Sequence, residues 1–420
     1  MPKSDLAEET KNDVEQAGPV DLLIGIAGAV NKDELQQYLQ NMNADLSATA
    51  QSSHVVVAYP GSSELESGEA ERFAGAAGVN APRFLQYSLP AGDPAVLPWT
   101  IASAAQKAIC SLAVELDAKV CVLLHSDLAM LTPEKLRLFT SPVLEKACDL
   151  VVPVYPSRKF EGLLNHSILA PIARALYGQR VRYPLAQDLS CSARMCGKLS
   201  ETDNTRERSE SSLLWPTTQA ALNSFQVCQV NVDVQHATQT EGLDLSTVLS
   251  SLVGSAYIEM ETYAPFWQRV RGSHPPAVSG NAAQQINDGE PVDAKPLIDS
   301  FLLGSHNLQE VWGLVLPPVT LLELKKLARS SPEAFRMPDD LWVRIVYDFA
   351  LAHRLRTMNR GHLMGALTPL YLGWVASYAQ EVAGLSPFAA EQRFEQLARS
   401  YEEGKPYLVS RWRWPDRFNP

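Results

Sequence analysis

Cys121-Val-Leu-Leu-His-Ser-Asp-Leu-Ala-Met-Leu-Thr-Pro133 is the stretch that decides the fold. Its apolar opening, with Val120 before it, predicts a buried strand that delivers a short polar tip, His125-Ser126-Asp127. Thr132, Pro133 and Glu134 then supply an N-cap, a proline at the first helical position and an acid in the first turn. A carboxylate just past the carboxyl end of a buried strand stands where open α/β sheets bind their ligands.

On both sides of this stretch the same alternation repeats. Asp21-Leu-Leu-Ile-Gly-Ile26 and Ser53-His-Val-Val-Val-Ala58 predict short buried strands, the second stopped by Pro60 and Gly61. Asn31-Lys-Asp-Glu34 opens an amphipathic helix, and a long helical stretch covers roughly Trp99 to Asp117. Asp149-Leu-Val-Val-Pro-Val-Tyr155 is a further strand, and Phe225 to Val234 alternates like a late one. Strands alternating with helices imply βαβ units and a mainly parallel sheet. From Glu201 to Ser212 the chain is charged and Ser-rich, the composition of a mobile loop. Past a polar stretch rich in Gly, Pro and Asn, apolar periodicity turns helical over 296–310, 319–330, 339–358, 362–382 and 386–403.

The bulk properties narrow the class. At 420 residues the chain exceeds one typical core, so two domains are expected. The reading is a lead-in over 1–18 that is polar and disordered, an α/β domain over 19–275, a linker over 276–295 and a helical domain over 296–420. No apolar run reaches the roughly 18 residues that span a bilayer, and the polar, acidic start lacks the parts of a signal peptide. Six scattered cysteines in apolar runs favour buried free thiols in a reducing cytoplasm. A net charge of −11 argues against a dedicated nucleic-acid partner while leaving room for a phosphorylated ligand on a local basic patch. Self-association is left open.

The block from His125 to His236 resembles the family-2-like GT-A glycosyltransferases that make glucosylglycerate, mannosylglycerate or their 3-phospho precursors. The resemblance is carried by Ser126-Asp127-Leu128, Thr132-Pro133-Glu134, Pro142-Val143-Leu144-Glu145 and Tyr155-Pro-Ser-Arg158-Lys159. It continues through Asn165-His-Ser167-Ile168, Arg174-Ala-Leu-Tyr177-Gly178, Arg180-Val-Arg182-Tyr-Pro184-Leu185, Asp188 and Ser190. Trp215-Pro-Thr217-Thr218, Cys228-Gln229-Val230 and His236 complete it. The C-terminal half, with Asp339 to Ala350, Leu367 to Gly373 and Lys405 to Trp412, is similar to the helical extension of the longer bacterial members.

That resemblance implies an α/β, Rossmann-like GT-A sheet that binds a nucleotide sugar, followed by a mostly α-helical C-terminal domain. It implies retaining transfer of a hexosyl unit to a small acidic acceptor such as glycerate or 3-phosphoglycerate, assisted by Mn²⁺ or Mg²⁺. Asp127 matches the metal carboxylate and His236 the distant histidine ligand, with His125 beside them. Ser126 and Gly61 fall on the donor side. Arg158, Lys159, Arg180 and Arg182 are the cations offered to an acidic acceptor, because guanidinium and ammonium groups clamp such anions. Asn165 and Asp188 match polar groups at the reacting centre.

The sequence departs from the family pattern mainly at this site. His125 stands where the first acid of the metal motif is expected. The turn after the second strand reads Tyr59-Pro-Gly-Ser62, Pro90-Ala-Gly-Asp-Pro94 replaces a Gly-Lys-Gly element, and Leu213 replaces an Asp. The first strand ends Ala27-Gly-Ala-Val-Asn31. A scaffold kept while donor-side groups change is also the pattern of a silent GT-A protein that binds a nucleotide, a sugar or a partner chain. Asp127 and Asp188 have structural readings too, as helix or loop caps.

Overall fold

A computed structural model describes residues 20–27, 54–60, 83–87, 98–124, 132–156, 158–201, 213–233, 243–281 and 292–415. Eight strands form one sheet: β1 Leu22–Ile26, β2 Val55–Pro60, β3 Arg83–Tyr87, β4 Val120–Leu124, β5 Leu150–Val154, β6 Leu189–Ser192, β7 Val227–Asn231 and β8 Ala277–Ser279. Their order is β3-β2-β1-β4-β6-β5-β7-β8. Every pairing is parallel except those of β6 with β4 and β5. β2 and β4 are buried along their whole length, which explains their unbroken apolar runs, since a sheet covered on both faces has no polar side.

Two layers cover the sheet. On one face Ile109 and Leu112 of α1, Pro98–Glu115, meet Leu23, Val56 and Leu123, together with Met195 and Leu199 of α4, Ala193–Glu201. On the other, Leu136, Phe139 and Val143 of α2, Pro133–Leu144, cover Ile24, Val57, Val122 and Val230. Thr132 caps α2 as its spacing predicts, its hydroxyl accepting from the Lys135 amide at 3.3 Å. Gly25 on β1 lies where a Cβ would come within 2.4 Å of Ile109, so a glycine there lets α1 press onto the strand. All six cysteines are free thiols and buried.

The chain runs outward from β1 to β2 and β3, then returns to lay β4 on the other side of β1. Strand order therefore reverses between β1 and β4, and in an open sheet the crevice past the carboxyl ends at such a reversal takes the ligand. Those ends are tied together: the Ala27 amide donates to the Leu124 carbonyl at 2.8 Å, and the Tyr87 hydroxyl to the Ile26 carbonyl at 2.6 Å.

A π-helical turn, Asn165–Leu169, leads into α3, Ala170–Tyr177. The helices α5 Pro216–Leu222, α6 Leu245–Thr262 and α7 Ala264–Trp267 follow. Beyond them come α8 Ala294–Asn307, α9 Gln309–Val315, α10 Pro318–Leu327, α11 Asp339–Leu355, α12 Arg360–Val382 and α13 Pro387–Arg413. One continuous apolar core joins the π-turn and α3 to α6 and to these later helices, through Ile168, Leu176, Leu249, Phe301, Trp342, Trp374 and Tyr401. Both the Trp342 indole N–H and the Tyr401 hydroxyl donate to the Ser167 carbonyl, at 3.2 and 2.7 Å. A π-helical turn leaves carbonyls off the regular ladder, and here the C-terminal helices use one as an anchor.

α8, α10, α11, α12 and α13 lie on the stretches whose periodicity predicts helix. The stretch read as a linker differs: Ala277–Ser279 within it pairs parallel with β7 and extends the sheet. β6 was also unforeseen, because Leu-Ser-Cys-Ser offers four residues without a branched run. Among the described residues no helix is long and apolar enough to cross a membrane.

Candidate functional site

The carboxyl edge of the sheet gathers the polar groups. β4 ends at Leu124, the residue before His125. Because β6 runs antiparallel, with Leu189 opposite Leu123, the residue just before it, Asp188, comes to the same edge. Tyr155 follows β5 there, and its hydroxyl donates to the Asp188 carboxylate. Asp188 is fully buried. Burial and the adjacent Asp188 charge push the Tyr155 hydroxyl well above its ordinary range, so it stays a proton donor at any physiological pH. The Tyr183 ring stands edge-on to Tyr155 with centroids 5.3 Å apart.

The segment from Arg182 to Asp188 is fixed through its backbone. The Asn165 amide donates to the Arg182 carbonyl at 2.8 Å, and the Arg182 N–H donates to Gln229 Oε1 at 2.7 Å. Thr217 donates to the Pro184 carbonyl at 2.8 Å, and Gln106 to those of Ala186 and Gln187 at 3.1 and 3.3 Å. Asn165 therefore positions the chain that carries Asp188, alongside the reacting-centre role that its sequence match implies.

Beside this edge lies a cavity of about 390 Å³, within the size range of small-molecule pockets. It is lined by Val154 at the end of β5 and by Gln229 and Asn231 of β7, by His166 and α3, and by Glu391, Phe394 and Glu395 of α13. Arg174, Arg180 and Arg182 all line it. Arg182 meets Glu391 with both terminal nitrogens at 2.5 Å, the bidentate fork by which guanidinium recognises a carboxylate. Arg174, only 5% exposed, reaches Glu395 at 2.7 Å and Glu402 at 2.9 Å. Arg180 donates to the Ser273 hydroxyl at 2.7 Å, which in turn donates to Glu402. His166 stacks on Phe394 at 4.6 Å; burial, and then the charge of Arg182, hold its pKa well below the usual range, so the ring is neutral.

Of the cations predicted for an acidic acceptor, then, Arg180 and Arg182 share this cavity while Arg158 and Lys159 lie outside its lining. Arg158 is exposed and pairs with Glu161, whose carboxylate also accepts from the Arg158 amide at 3.1 Å. Lys159 offers its carbonyl to the Tyr378 hydroxyl at 3.0 Å. His125, Ser126, Asp127, His236 and Gly61 lie outside the described residues. Among the described residues no three His, Cys, Asp or Glu side chains are grouped to hold a metal ion. Asp127, His125 and His236, the metal ligands expected from the sequence, would offer a carboxylate and two imidazoles, a set that suits Mn²⁺ and its softer neighbours better than Mg²⁺.

Sequence reasoning missed Tyr155, His166, Arg174, Gln229 and the glutamates of α13. Tyr155, His166, Arg174 and Gln229 all fall inside matched stretches, but nothing in their spacing separates them from residues without a role at the site. Glu391 sits 209 positions from its partner Arg182, and only the folded chain brings them together.

No protein-family model and no curated protein matches the chain. Among solved structures it is similar to the glucosyl-3-phosphoglycerate synthase of Mycobacterium tuberculosis, in complex with Mn²⁺, UDP-glucose and phosphoglyceric acid. The identity is 15% and the TM-score 0.34, over 59% of this chain and 82% of that one. At that identity and score the likeness adds nothing to the geometry above.

Proposed function

We propose that the chain is a glycosyltransferase that moves a hexosyl unit from a nucleotide sugar to a small acidic acceptor such as glycerate or 3-phosphoglycerate, with retention and in the cytoplasm. The observation that carries the reading is the arrangement of one edge. The topological switch between β1 and β4 opens beside the buried Tyr155–Asp188 pair, and a cavity lined by three arginines lies two strands further along. A nucleotide diphosphate suits the first place and an acid the second.

In this reading Asp127 and His236, with His125, would hold a divalent cation, and Ser126 and Gly61 would contact the donor. The cation would supply positive charge against the departing diphosphate. Asp188 would face the reacting centre as a carboxylate oriented by Tyr155, and Asn165 would keep the segment 182–188 in register with it. Arg180 and Arg182 would meet the acceptor's acidic group, with Arg158 and Lys159 at the outer margin.

A second reading, a silent GT-A scaffold that binds a nucleotide, a sugar or a protein partner, is favoured by one observation. The Arg182 fork is already filled by Glu391. The test is direct: incubate the protein with UDP-, GDP- and ADP-hexoses, Mn²⁺ or Mg²⁺, and D-glycerate or 3-phosphoglycerate, then look for a glycosylated acid by NMR. A product whose anomeric coupling matches the donor, and which Asp188→Asn abolishes, supports transfer. Absence of product together with absence of nucleotide binding sinks both the transferase and the nucleotide-binding scaffold.

A further inference from the structure

The charge of the chain is unevenly spread. Residues 259–274, 353–362 and 402–414 carry eight Lys and Arg against four Glu, which leaves 28 cations and 43 acids for all the rest. Folding brings these three segments together. Lys405 donates to the Val270 carbonyl at 2.9 Å and Arg413 to Gln268 Oε1 at 2.7 Å, so the end of α13 lies along the segment after α7. Arg354 donates to the Trp412 carbonyl at 2.6 Å and lies over the Trp412 ring, which brings in the turn between α11 and α12. Arg360, at the start of α12, meets Glu261 near the end of α6 at 3.6 Å and closes the circuit. The acids there do little to offset the cations. Glu402 is turned to Arg174 and Ser273, and burial pushes the pKa of Glu259 up to about 8. Among the cations only Arg411 is turned inward, to the buried Asp348 at 3.0 Å. Like charges are held close: burial, and then the charge of Arg271, bring the Lys405 pKa down to about 8. Arg269, Arg271, Arg356 and Arg413 are exposed, and two large apolar side chains stand among them, Leu355 and Trp414, 48% and 62% exposed.

We infer that this end of the helical domain docks on an anionic membrane surface, its cations against lipid phosphates and Trp414 and Leu355 entering the headgroup layer. None of these residues lines the cavity between α3 and α13, and cations spread over an exposed surface suit a field of charge rather than one small ligand. Each Lys or Arg close to an anionic leaflet strengthens binding by roughly five-fold, while salt screens the acidic remainder of the chain beyond about 10 Å. An indole, with an apolar body and a polar N–H, prefers the boundary between headgroups and acyl chains. The cations alone would serve a nucleic acid equally well; the exposed aliphatic Leu355 favours lipid. Such docking lies in the plane of the interface and needs no helix that crosses the bilayer. It does not depend on the transferase reading.

The experiment is flotation of the full chain with vesicles of phosphatidylcholine alone or of an equal mixture with phosphatidylglycerol. At about 0.1 M salt the chain should rise with the mixed vesicles and not with the neutral ones, and it should be released at about 1 M, where the screening length falls to about 3 Å. Arg271→Gln combined with Arg413→Gln should weaken binding roughly thirty-fold, whereas Lys325→Gln with Lys326→Gln, an exposed pair on α10, should leave it unchanged. Brominated lipid should quench the fluorescence of the parent more than that of Trp414→Ala, and circular dichroism melts show that each variant is folded. Failure to rise with the mixed vesicles, or equal flotation with neutral ones, overturns the inference. So does an equal loss in the two double variants, or equal quenching with and without Trp414. A poly-uridine oligonucleotide that binds at the same salt and strips the chain from the mixed vesicles assigns the surface to nucleic acid instead.

Discussion

The Tyr155 hydroxyl donates to the Asp188 carboxylate across the carboxyl edge of the sheet, joining the end of β5 to the start of its antiparallel neighbour β6. A fully buried carboxylate needs such donors, since removing a partner from a buried charge exposes its desolvation cost. Tyr155→Phe removes one charge-assisted bond and keeps the ring against Tyr183, so it should destabilise the fold by about 1.5–3 kcal/mol in urea titration. A loss below about 0.5 kcal/mol, within the range of ordinary surface changes, would show that Tyr155 is not what holds Asp188.

The α/β half was legible because buried parallel strands write themselves as apolar runs, as at Val55–Pro60 and Val120–Leu124, both buried throughout. What stayed illegible was contributed from a distance. β6 is a short Ser-containing strand recognised only by its neighbours β4 and β5, and β8 is an exposed edge of three residues. The site was half legible in the same sense. Arg180 and Arg182 stand in the cavity, whereas Arg174 owes its place to Glu395 and Glu402, more than two hundred residues away. Local pattern reports which face of an element is buried; it does not report what a remote helix lays against that face.

Arg174 fastens α13 to α3 by two carboxylates, and its side chain is almost wholly buried. Arg174→Met keeps the stem and removes the charge. Glu395 and Glu402 are partly exposed and can turn to water, so the loss should be about 1–3 kcal/mol, below the 3–5 typical when a buried partner is stranded. Hydrogen exchange should quicken in α13 ahead of β4 and β5. Uniform quickening across all of them would contradict a local fastening.

Gly304 of α8 sits where a Cβ would lie 2.5 Å from Pro369 Cβ on α12. Neither backbone nor proline ring can yield cheaply at that distance. Gly304→Ala gains roughly 1 kcal/mol of helix propensity and loses about 2–3 kcal/mol to overpacking, so the net effect is a destabilisation of about 1–2 kcal/mol. A rise in melting temperature would mean that the two helices separate more readily than their contact suggests.

Glu259 on α6 has a buried oxygen without a hydrogen-bond partner among the described residues, and burial pushes its pKa up to about 8 from an ordinary 4.5. The folded chain therefore binds a proton that the unfolded chain releases between those values. This contribution to stability is fully present below pH 4.5 and is lost as pH rises to about 8. Relative to Glu259→Gln, the parent should lose on the order of 2–4 kcal/mol across that window in urea titrations at stepped pH. Parallel curves for the two proteins would show that the carboxyl is solvated.

The last prediction concerns the metal. In the proposed donor site Asp127, His125 and His236 would offer one carboxylate and two imidazoles, where a pair of acids would favour a harder ion. Hard Mg²⁺ prefers an all-oxygen shell, whereas imidazole suits Mn²⁺, Co²⁺ and Zn²⁺, so UDP binding should be supported better by Mn²⁺ than by Mg²⁺. His125→Asp restores the acid. It should narrow the gap between the two ions and tighten donor binding by roughly ten- to a hundred-fold, the effect of one charge-assisted contact. Fluorescence titration with UDP in each metal reads both effects without requiring turnover. If the parent binds UDP equally with Mg²⁺, Mn²⁺ or a chelator present, these three residues are not a metal site, and a gain in His125→Asp that does not depend on metal would assign the residue to the donor alone.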